Sequence, residues 1–215
     1  MPPKGLFAAP RPGLITVPVC SACHQPTSVD DEYFRTTLAF RHDVGEHPDV
    51  SKPNGVLAAA LRSLERPQAA GFTWAFFDTM REIPVRSPSG LYIGTVSTYD
   101  VDAGRICSVV ERTIRGLYYH HLKKQLRDDV AVLMDDFTDW SRVEPTVLAS
   151  AERLTGVLAH RQPQHTIGQA FQYSYIAIPA QEADDHASAW LLRFYSRVMF
   201  LGLAGPPPRQ GSRDA

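Results

Sequence analysis

REIPVRSPSGLYIGTVSTYDV, residues 81–101, is where the periodicity of this 215-residue chain changes. Before it, apolar residues recur every three or four positions; within it they alternate and β-branched residues are frequent. Ser87-Pro88-Ser89-Gly90 is a turn sequence. The stretch therefore predicts a hairpin over about 82–86 and 91–97. It separates a helical first part from a mixed second part.

Working back from the hairpin, QAAGFTWAFFDTM predicts a helix over about 68–80, and GVLAAALRSLE one over 55–65, stopped by Pro67. Residues 45–55, rich in proline and glycine, read as a loop. SVDDE at 28–32 starts a helix that runs to about 44, with Ser28 or Asp30 able to cap it. ITVPV at 15–19 suits a short edge strand. Working forward, 102–125 is a long helix with Ile106, Val109, Val110, Ile114, Leu117 and His121 as its inward stripe. Strands follow at 128–136 and 168–179, with an amphipathic helix at 144–160 between them, and one or two strands fill 187–204. The expected class is α+β: N-terminal helices, then an antiparallel sheet with helices packed on one face. One domain spans 15–204, preceded by a proline-rich disordered leader at 1–14 and followed by a disordered tail at 205–215.

Composition narrows the function. A formal net charge of −1 gives the whole chain no attraction to nucleic acid, so any such contact needs a local basic patch. Three cysteines do not make a disulfide framework and point to a reducing, cytoplasmic setting. Prolines 10, 12 and 18 interrupt every candidate export signal, and no apolar run is long enough to span a membrane.

VPVCSACHQPTSVDDEYFR, residues 17–35, carries the most pointed chemistry. Cys20, Cys23 and His24 form C-x-x-C-H, which matches a haem attachment motif, although that cofactor is attached in exported compartments. A redox pair sits at a helix start, whereas Pro26 and further residues intervene here. As half of a zinc knuckle the pair needs two more ligands. Cys107 lies in a predicted helix near its buried stripe, and His42 and His47 have no recognisable ligand spacing. Unligated thiols are the plain alternative.

This line resembles the second half of the zinc-knuckle module of HNH-endonuclease-like bacterial proteins, V-P-x-C-x-x-C-N-x-x-x-S-x-D-E-E-Y-F-R. Four further segments are similar to the same group: LRSLERPQAAGF (61–72), GLYIGTVSTYDVD (90–102), VVERTIRGLYYHHLKKQL (109–126) and ASAWLLRFYSRVMFLGL (187–203). The resemblance implies that 15–47 is a knuckle remnant with the first helix, that Cys20 and Cys23 are zinc ligands, and that Ser28, Asp30, Glu32, Tyr33 and Arg35 belong to the helix behind the knuckle. His24 stands where the family has Asn. The family's first C-x-x-C and its Glu-His-x-x-Pro line, whose histidine activates water while a divalent metal steadies the leaving oxygen, have no counterpart before Cys20. Glu46-His47-Pro48 lies after the knuckle, in a loop, and reads as coincidence. The resemblance thus implies a truncated or catalytically inactive member, through either an upstream start or a decayed gene.

Two other clusters stand out. Arg105, Arg112, Arg115, Lys123 and Lys124 can form a basic helix face for DNA, against the plain reading of a solvated face. Asp135, Asp136 and Asp139 lack the spacing and glycine of a calcium loop and read as a strand end with an acidic turn. The sequence leads to an HNH-endonuclease-like protein without cleavage activity, with DNA as candidate partner and zinc as candidate cofactor. A non-enzymatic interaction domain is the alternative.

Overall fold

The computed structural model describes residues 2–18, 27–67, 70–126, 130–134, 143–162, 164–179 and 186–204. Six helices are present among them: α1 (Thr27–Ala39), α2 (Pro48–Ser51), α3 (Val56–Leu64), α4 (Ala70–Asp78), α5 (Ala103–Leu122) and α6 (Pro145–His160). The strands are β1 (Arg81–Arg86), β2 (Tyr92–Thr98), β3 (Val130–Met134), β4 (His165–Ile167), β5 (Phe171–Pro179), β6 (His186–Phe194) and β7 (Val198–Ala204). The fold is α+β, as the sequence predicts. β1 and β2 pair only with each other, and the remaining five form an antiparallel sheet in the order β3-β7-β6-β5-β4.

Period-two alternation gives this sheet two apolar faces. Phe171, Tyr173, Trp190, Leu192, Phe194 and Phe200 face one way, where they meet Ile106, Val110, Ile114 and Leu117 of α5 and Phe34 of α1. Ala189, Leu191 and Leu201 face the other way and meet Ala151 and Leu158 of α6. Helices therefore cover both faces, which corrects the one-face expectation. The amphipathic pattern shows that α6 hides one side, not which sheet face receives it.

α5 sits close to the sheet at Gly202. A Cβ built on that glycine would lie 2.1 Å from the Ile114 Cδ1. The residue paired with Gly202 on β6 is Trp190, so the bulk missing from one strand is supplied by its neighbour.

The first residues do not form a free leader. Lys4–Leu6 make a 3-10 turn; Leu6 is fully buried and Phe7 nearly so. The Tyr195 hydroxyl donates to the Leu6 carbonyl at 2.9 Å from inside the core. Two consecutive apolar side chains anchor this segment, and its prolines conceal them from any periodicity search. Residues 15–18 form no strand, contrary to expectation. Asp135, Asp136, Asp139 and the tail at 205–215 lie outside the described residues.

Candidate functional site

Residues 19–26, and with them Cys20, Cys23 and His24, lie outside the described residues. The helix that follows them in sequence is described. α1 begins at Thr27, and its first two turns are bonded to α5. Arg105 reaches from α5 to Asp30 (Nε to Oδ1, 2.9 Å) and to the Val29 carbonyl (3.0 Å), and its guanidinium lies 4.3 Å over the Tyr33 ring. The Asp102 N–H donates to the Tyr33 hydroxyl at 2.7 Å, while the Asp102 carboxylate caps α5 by accepting from the Arg105 N–H. Two turns further along α5, Arg112 donates to Asp31 at 2.6 Å. Burial holds the Asp31 carboxyl above its ordinary range in spite of Arg112. Arg35 pairs with Glu32 along α1.

These bonds change the meaning of the basic helix. Arg105 and Arg112 are committed to carboxylates of α1. Arg115 donates to Glu111 and to the Leu126 carbonyl, both at 2.8 Å. Lys123 and Lys124 stand at the opposite end, about 27 Å along the helix axis from Arg105. Lys123 is the exposed left-handed residue that closes the helix. The five residues do not line up as one phosphate-facing stripe.

The other candidate ligands are occupied or set back. His47 caps α2, accepting from the Asp49 N–H at 3.2 Å through Nδ1, with Nε2 3.2 Å from the Gln169 carbonyl oxygen. Glu46-His47-Pro48 is therefore a helix start, with Pro48 at its first position. Cys107 is half-buried against the core, and burial raises its thiol pKa. Among the described residues no three His, Cys, Asp or Glu side chains group to hold a metal. Cys20, Cys23 and His24 lie outside that set, so it bears only on the described donors.

The structure brings together one cluster that the sequence did not mark. His121, at the C-terminal end of α5, places Nε2 3.0 Å from the Tyr173 hydroxyl, and its ring lies 4.8 Å from His165 and 4.5 Å from Tyr175. His165 stacks on Tyr173 across the β4–β5 pair, and Tyr175 stacks on Trp190 across β5–β6. Burial, and then the neighbouring His165, His120 and Lys123, push the His121 pKa down to about 4. Burial lifts Tyr173 to about 12. Both are neutral at pH 7, which suits packing better than proton transfer. The hollow lined by Leu158, Gln164, Tyr173 and Arg193 encloses about 190 Å³ even with open solvent included, below the range of ordinary ligand sites. His121 sits on the predicted inward stripe, but His165 offered no signal: only strand pairing puts it beside residue 173.

The cluster makes stability pH-dependent. The unfolded chain protonates His121 near 6.5 and the folded chain only near 4, so folding is expected to weaken as pH falls through that window. Discounted for solvent screening, the loss is on the order of 1–2 kcal/mol. Melting temperatures between pH 7 and pH 4 should fall more steeply for the wild type than for His121→Phe. Equal slopes would place the dependence elsewhere.

Compared with known proteins, the chain matches no family model, no curated protein and no solved structure.

Proposed function

We propose that this chain is an HNH-endonuclease-like protein whose 215 residues carry the scaffold of the zinc knuckle but not its chemistry. The observation that carries the reading is the bonding of Asp30, Asp31 and Tyr33 to Arg105, Arg112 and Asp102. Two matched residues of the knuckle-helix motif, Asp30 and Tyr33, thereby have tertiary roles, as does Asp31 where the family pattern has Glu, and Arg112 falls within a second segment of the resemblance. These residues brace the start of α1 against α5. Zinc at Cys20, Cys23 and His24 is an incomplete site. DNA contact is the weaker part of the reading, since the arginines of α5 are engaged within the fold. A cytoplasmic location fits the odd number of cysteines, and no described helix is long and apolar enough to cross a membrane.

Two measurements test this. The purified, dialysed chain should retain less than about one tenth of an equivalent of zinc and leave supercoiled plasmid intact with magnesium or manganese. Stoichiometric zinc, or metal-dependent nicking that co-purifies with the chain, would overturn the inert reading. The family assignment is tested separately in the DNA upstream of the reading frame. An in-frame C-x-x-C followed by Glu-His-x-x-Pro, intact or decayed, is expected there. Unrelated sequence would favour the interaction-domain alternative, which the exposed β1–β2 hairpin also supports.

A further inference from the structure

The β1–β2 hairpin is the part of the molecule that the core does not explain. No residue of either strand is buried, and the contacts of the two strands are almost wholly with each other. The hairpin is fixed at its root, where Arg81 pairs with Asp100 at 2.6 Å and the Thr79 hydroxyl accepts from the Asp100 N–H. Beyond the root several large apolar side chains stand in water among polar ones: Ile83 is 42% exposed, Leu91 71%, Tyr92 54%, Ile93 65% and Val96 45%. An isolated two-stranded ribbon is marginal in water, and contiguous exposed apolar surface marks a contact site.

The two edges of the ribbon differ. Pro84 faces Thr95 across the pair. Proline has no N–H to give, so this is a non-hydrogen-bonded position, and Pro84 turns its nitrogen to the free side of β1. That edge lacks its central donor and is poorly suited to pairing. By the same register Thr95 and Ser97 turn their N–H and C=O groups to the free side of β2, with every donor present. Thr95 is also the middle residue of β2.

We propose that the hairpin is a self-association arm. Two copies join β2 to β2 antiparallel about a two-fold axis at Thr95, giving a four-stranded sheet in the order β1-β2-β2-β1. In this register Thr95 meets its own counterpart, a favourable cross-strand pair. Val96 falls opposite Gly94 of the other copy, where a Cβ on that glycine would meet nothing within 4 Å. Ile93 is skipped in the pairing with β1, where the register shifts between Val85 and Arg86, so the regular edge offered to a second copy begins at Gly94. A net charge of −1 does not drive two copies apart. Arg81 and Arg86 are offset by Glu82 and Asp100, so the arm has no positive stripe with which to enter a nucleic-acid groove.

The test is sedimentation velocity with light scattering on the full chain up to about 100 µM. The wild type should show twice the 23.9 kDa mass of one chain. Thr95→Lys places two ammonium groups opposite each other at the axis, and Thr95→Glu two carboxylates, so each variant should be monomeric, with dimer affinity at least about tenfold weaker. Mixing the two should restore a 1:1 dimer. Thr95→Pro should also be monomeric with an unchanged circular dichroism spectrum, because the N–H it removes is not used within the hairpin. A wild type that is monomeric throughout overturns the proposal. So does a dimer that Thr95→Lys leaves intact, and so does a monomer whose arm instead retards a DNA duplex.

Discussion

Gly202→Ala is expected to cost about 2–3 kcal/mol of folding stability, read as a lower urea midpoint at an unchanged slope. The added methyl would sit 2.1 Å from the Ile114 Cδ1 and 3.6 Å from a Val130 methyl. The end of an isoleucine could ordinarily swing aside, but Ile114 is fully buried in a close-packed layer between α5 and the sheet. α5 must then lift or Ile114 must leave its preferred rotamer. The source of the cost can be isolated. Ile114→Val removes the offending atom and alone should cost about 0.5–1.5 kcal/mol. The double variant should then be more stable than the sum of the single losses by about 1 kcal/mol or more. Simple additivity would mean that the helix–sheet approach at Gly202 is not the constraint.

Phe34→Ala should be the more damaging change, about 3–5 kcal/mol. Phe34 is fully buried, with its ring 5.3 Å from Phe194 and 5.9 Å from Phe200. It alone among the aromatic residues of the knuckle-helix motif stacks on strands of the five-stranded sheet; its neighbour Tyr33 is turned to α5 and Phe72. Truncation leaves a hole enclosed on several sides; α1 loses its aromatic contact with the sheet, and its polar bonds to α5 are individually small at half-exposed positions. Phe34→Leu should cost less, about 1–2 kcal/mol, because most of the volume remains. Chemical denaturation followed by tryptophan fluorescence gives both values. A loss under about 1 kcal/mol for the alanine variant would mean that α1 is held by something other than this contact.

Much of the secondary structure was legible because the periodic segments are long and well punctuated. The Ser87-Pro88-Ser89-Gly90 turn placed the hairpin, and the stripe from Ile106 to Leu117 on α5 is buried as expected. The N-terminal residues were misread because burial there rests on two anchors, Leu6 and Phe7, and on a hydroxyl from Tyr195, 189 positions away. β4 went unrecognised because three residues carry no periodicity of their own; the strand exists through its pairing with β5.

The candidate site divides in the same way. Cys20, Cys23 and His24 are visible as a motif, and the positively charged residues of α5 are visible as a run. Whether the arginines are available to a phosphate depended on Asp30 and Asp31, more than seventy residues earlier. His121 and His165 became neighbours only when β4 was laid beside β5.

By itself, the sequence determined where the chain coils and where it extends, because local propensity and hydrophobic period act over a few residues. Only the tertiary structure decided that the sheet is covered on both faces, that the α5 arginines face carboxylates, and that the hairpin stands clear with one edge blunted by Pro84. Each of these depends on pairing between distant segments, and a one-dimensional pattern carries the requirement for burial without the identity of the partner.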